Sequence, residues 1–123
     1  MTIDSIWSYP SVSGHAEGQD LTGYGVVGTD GTLGHVERED GHHGMWHLVV
    51  DTGVWLFGRS AVVPVGVVAS VDAEERKISL ACTVDEVKEA PRFRTDSETM
   101  DPAYLSDVAD YYRRLAARGT ATA

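Results

Sequence analysis

Three histidines, His42, His43 and His47, crowd one short segment of the 123-residue chain, and imidazole is a common ligand for zinc, copper and nickel. Glu39 and Asp40 lie just before them and could add a carboxylate, and His35 is expected across a hairpin from His47. Spacing limits the idea. On an extended strand residues 43 and 47 share a face but stand roughly 13 Å apart, too far for one ion. Only a bent loop would bring His42 or His43 close. The preferred reading is a polar loop with histidines facing water, so no metal and no cofactor are expected. A metal- or small-molecule-binding protein using His42, His43 and His47 is the alternative.

Other chemistry is thinner. Glu37, Glu39 and Asp40 are close in sequence, but adjacent carboxylates on a strand edge are ordinarily solvated. No Ser–His–Asp or Cys–His arrangement is defined by motif, so no catalytic residue is assigned and an enzyme is not expected. Gly23-Tyr24-Gly25-Val26-Val27-Gly28 resembles a dinucleotide fingerprint only superficially, without the preceding strand and following helix that motif needs. The single cysteine, Cys82, excludes an internal disulfide and sits in the apolar run Ile78–Cys82, where it reads as a buried small hydrophobe.

The aromatic residues suggest contact rather than catalysis, because aromatic side chains dominate interface hot spots. Trp7 and Tyr9 stand in an N-terminal arm and are expected to anchor it to the barrel or to a second subunit. Trp55 and Phe57 share one face of a short strand, with Leu56 on the other, and Tyr112 lies on a helix. Trp7, Tyr9, Trp55, Phe57 and Tyr112 are therefore the candidate protein interface, and a homodimer is expected. In a small barrel such residues more often fill the interior, and that bland reading stands beside the first.

The elements that position these residues are mostly strands. Tyr24–Thr29 leads through Asp30-Gly31, a tight-hairpin dipeptide, into Leu33–Arg38. Met45–Asp51 alternates, with Trp46, Leu48 and Val50 directed to the core. Val54–Phe57, Ala61–Val65, Val67–Asp72 and Lys77–Cys82 follow, with Pro64 at an edge or strand end. Thr83 and Glu86 have capping-box spacing for a short helix that Pro91 stops. Asp101-Pro102 opens a second helix, on which Leu105, Val108, Ala109, Tyr112, Leu115 and Ala116 form one apolar stripe. That stripe must be buried, on this barrel or on a partner. The implied architecture is a mainly β, six-stranded antiparallel barrel with an arm at 1–20, a barrel at 21–93 and a helical tail at 94–123.

Composition narrows the function classes. A chain of this length holds one domain and can bury roughly two-thirds of its unfolded surface. Its formal net charge is −9, which disfavours a nucleic-acid backbone as partner. Arg76-Lys77, Arg92, Arg94, Arg113 and Arg114 read as solvated or helix-end charge. No stretch approaches the ~20 apolar residues of a membrane span, and the N-terminus lacks a signal-peptide pattern. A cytoplasmic location without direct membrane insertion is expected.

The stretch Asp30–Val36 resembles the opening of PRC-barrel domains, and His47–Arg59 is similar to that family's central strand pair. Val62-Val63-Pro64 and Ala69–Asp72 match the strands that follow, and Thr83–Pro91 the short closing helix and its proline. The resemblance covers about three-fifths of the chain. The arm, and the tail around Asp101–Tyr104, resemble those of small stand-alone actinobacterial members. The resemblance implies a compact six-stranded barrel used as a docking surface, with no catalytic residues. The same domain occurs in the cytoplasmic part of the H subunit of photosynthetic reaction centres and in a ribosome maturation factor. Neither a preceding membrane helix nor a preceding second barrel is seen, so neither of those specific functions is expected.

Overall fold

A computed structural model describes residues 5–10, 13–16, 18–41, 44–53, 60–92 and 99–121. Six strands form one sheet: β1 (Gly25–Val27), β2 (Thr32–Asp40), β3 (His47–Asp51), β4 (Ser60–Pro64), β5 (Val68–Asp72) and β6 (Lys77–Leu80). Two helices follow, α1 (Val84–Lys88) and α2 (Pro102–Ala121). The expected strand Val54–Phe57 lies outside the described residues.

The sheet order is β4-β3-β2-β1-β6-β5, and it is mixed and not closed. Four neighbouring pairs are antiparallel, but β1 and β6 run parallel, with Val26 opposite Ile78. This corrects the expectation of a purely antiparallel sheet. The cause is the connection between β4 and β5. Val65–Val67 forms a single 3₁₀ turn between them, and β4 and β5 then run in the same sense. Every other connection between successive strands reverses direction, so one that does not leaves the first and last strands parallel. The valines at 62–68 read as two successive strands, with nothing in the sequence to mark that the chain does not reverse between them.

Burial on β3 also departs from simple alternation. His47, Leu48, Val49 and Val50 are all buried, so this strand is covered on both faces. Trp46, expected inside, is 46% exposed. On β2 Leu33 and Val36 are buried, and a bulge between Val36 and Arg38 shifts the pairing with β3. Gly34 is required there, because a Cβ would lie 1.9 Å from the Asp51 carbonyl oxygen.

Helix α1 has the reciprocal cap that its sequence implies. Thr83 Oγ1 accepts from the Glu86 amide at 3.1 Å, and Glu86 Oε1 accepts from the Thr83 amide at 2.8 Å. Asp30 Oδ1 accepts from the Val84 amide at 3.0 Å, tying the β1–β2 turn to the same helix start. Helix α2 begins where the Asp101 carboxylate accepts from the Ala103 amide. Its stripe of Leu105, Val108, Ala109, Tyr112, Leu115 and Ala116 is buried within its own chain, which answers where the stripe goes. The Tyr104 hydroxyl donates to the Pro91 carbonyl and the Tyr111 hydroxyl to the Glu86 carbonyl, so α2 is fastened to α1 and the loop behind it.

The arm is bound to the same core. Ile6 is buried, and its carbonyl accepts from the Gly66 amide at 2.9 Å. Gly66 is needed at this crossing, since a Cβ would meet the Ser5 carbonyl oxygen at 2.2 Å. Further along, the Val71 amide donates to the Ser13 carbonyl at 2.7 Å, so the arm lies against β5, an end strand of the sheet. Such coverage satisfies backbone groups that an open strand edge would leave to other chains.

Candidate docking surface

The paired ends of β2 and β3 carry Glu39, Asp40 and, just beyond, Trp46. Asp40 pairs with His47 across the strands, so Gly41 and Trp46 sit at the next position outward. The Trp46 indole lies flat against Gly41 where a side chain would otherwise stand, its ring atoms 2.3–2.6 Å from an ideal Cβ. Glycine at 41 is therefore what allows the indole to cover the backbone. Glu39, opposite Leu48 in the same strand pair, lies two residues before Gly41.

The arm reaches this end as well. The Tyr9 hydroxyl donates to Glu39 Oε2, and the Tyr9 ring stacks on His15 with centroids 3.6 Å apart and planes 8° apart. Burial, then the hydrogen bond and charge of Glu39, raise the Tyr9 phenol well above its ordinary range, so it stays a neutral donor at physiological pH. Trp7, like Tyr9, is half-buried and packs against the core. Both arm aromatics thus anchor the arm to its own chain, one of the two options the sequence left open. Of the expected interface set, Tyr112 is fully enclosed by its own chain and presents nothing to a partner. Trp55 and Phe57 lie outside the described residues.

The histidine cluster divides. His47 is fully buried on β3, with its Nδ1 2.9 Å from the Met45 carbonyl oxygen. His42 and His43 lie outside the described residues. His35 stands opposite Asp51 rather than His47, and it is exposed. Among the described residues no three His, Cys, Asp or Glu side chains are grouped to hold a metal. Cys82 is buried, and burial, with Glu86 and Asp30 nearby, pushes its thiol up to about 12. It is a protonated core side chain at any physiological pH. A cavity of about 30 Å³ beside α1 is lined by Leu33, Thr52, Ser60 and Val87, among others. It has room for about one water.

Trp46 is the residue that sequence reasoning misplaced. Alternation along 45–51 assigned it inward, and the signal against that was the pair of glycines just before it, Gly41 and Gly44. No helix among the described residues is long and apolar enough to cross a membrane. No protein-family model matches the chain, and no curated protein matches it.

Proposed function

We propose that the chain is a non-catalytic docking module of the PRC-barrel type, which binds a protein partner and associates with a second copy of itself in the cytoplasm. One observation carries the reading. The Trp46 side chain is left 46% exposed over Gly41, just past the paired ends of β2 and β3. A large exposed aromatic side chain at the end of a sheet suits recognition of a protein surface. A six-stranded sheet followed by a capped closing helix and Pro91 supports the family assignment. The net charge of −9 favours a protein over a nucleic-acid partner.

The test compares the wild-type chain with Trp46→Ser as immobilised baits in a lysate of the source cell. Circular dichroism first establishes that both are folded. The expected result is a defined set of proteins held by wild type and lost from Trp46→Ser. Equal retention of the same proteins by both baits would sink the proposal for this surface.

A further inference from the structure

Residues 5–10 and 13–16 of the arm are fastened to the rest of the chain at separate places. The Ile6 carbonyl accepts from the Gly66 amide at 2.9 Å, and the Ser13 carbonyl from the Val71 amide at 2.7 Å. Between these two, the Tyr9 hydroxyl donates to Glu39. After Ser13 the chain turns through Gly14, whose backbone is left-handed (φ 86°). A Cβ there would stand 3.2 Å from the Val71 carbonyl oxygen. His15 then stacks on the Tyr9 ring, so the arm closes on itself and docks as one unit.

Two of these fastenings lie a step from Trp46 along the backbone. Glu39, which holds Tyr9, pairs with Leu48, and Asp40 pairs with His47, the residues that follow Trp46. Gly66, which holds Ile6, comes directly after Val65, whose amide donates to the Trp46 carbonyl at 3.2 Å. The arm therefore grips both the strand that pairs with the Trp46 segment and the turn that holds the Trp46 carbonyl. An exposed aromatic side chain binds better when it is ordered beforehand, because less freedom is lost on contact.

We infer that the docked arm is the device that positions the Trp46 surface, with Tyr9 as its positioning residue. Tyr9 acts directly through Glu39 and, by seating Ile6, through Gly66 and Val65. This rests on the reading of Trp46 as a docking surface and adds what controls it. With the arm seated, the backbone that carries Trp46 is held in one arrangement. With the arm released, that backbone loses its order, so arm release and partner binding oppose each other.

Amide hydrogen exchange followed by NMR tests this on the full-length wild type, Tyr9→Phe and Gly14→Ala. Tyr9→Phe keeps the ring that stacks on His15 and removes only the hydroxyl. Gly14→Ala strains the left-handed turn and leaves Glu39 and Gly66 unaltered. In both variants the Val65, Gly66 and Val71 amides are expected to exchange at least about fivefold faster than in wild type. The Trp46 indole N–H resonance is expected to shift with them. The Val36 amide, bonded to the Tyr24 carbonyl, is the internal reference and is expected to keep its rate. Faster exchange at Gly66 and Val71 with Val65 and the Trp46 resonance unchanged would mean that the arm opens without moving Trp46, and would overturn the inference. Equal acceleration of all four amides overturns it as well, because the arm then contributes only overall stability, and so does no acceleration at all. The bait comparison with Trp46→Ser is separate: equal retention there removes the docking role whatever the exchange rates.

Discussion

Tyr112 is the largest fully buried side chain among the described residues, and its hydroxyl is buried without a hydrogen-bond partner among them. Its ring fills the space between α2 and the sheet, and desolvation holds the phenol protonated well above its ordinary range. An unsatisfied buried hydroxyl costs stability, whereas its ring contributes packing. Tyr112→Phe is therefore expected to leave stability unchanged or raise it by about 1 kcal/mol, and Tyr112→Ala to lower it by about 3–5 kcal/mol. Urea denaturation of both variants measures this. A clear loss in Tyr112→Phe would mean that the hydroxyl is bonded in solution.

At the scale of elements, the start of α1 joins two distant parts of the chain. Thr83 and Glu86 satisfy each other's amides, while Asp30, over fifty residues earlier, accepts from Val84. Losing an N-cap side chain typically costs about 1 kcal/mol. Thr83→Ala is expected to cost about that much and to speed hydrogen exchange at the Glu86 amide. Asp30→Ala should act instead at the Val84 amide, because it removes a different acceptor. Identical exchange patterns in the two variants would show that the cap and the turn are not separate supports. Local spacing made the capping box readable in the sequence, but the contribution of Asp30 depends on where the β1–β2 turn lands.

For the whole molecule, the buried acids of the core set its response to alkali. Cys82 is lifted to about 12 from an ordinary 9.0, chiefly by burial, and Tyr112 is raised from 10.0 by the same cause. Above the ordinary thiol range the unfolded chain releases its proton while the folded chain keeps it. Stability is thus full below about pH 9 and falls as pH rises toward 12. The slope is roughly 1 kcal/mol per pH unit for each group. Urea titrations from neutral into alkaline solution should show a falling midpoint, and Cys82→Ala should delay its onset. A midpoint that is flat across this range in wild type would contradict the enclosure of both groups.

The sequence by itself determined the local pieces. Asp101-Pro102 starts α2, Thr83 and Glu86 cap α1, and Leu105 to Ala116 form one apolar stripe, because each depends on residues within one or two helical turns. The tertiary structure alone decided how the strands pair with one another. Parallel pairing of β1 with β6 follows from the non-reversing turn at Val65–Val67, which no hairpin pattern announces. It also decided which aromatic residues face outward. Tyr112 lies inside because α2 folds back on its own sheet, and Trp46 lies outside because Gly41 leaves the indole a place on the backbone. Periodicity ranks the faces of one element, but the final burial of a side chain depends on what the rest of the chain brings against it.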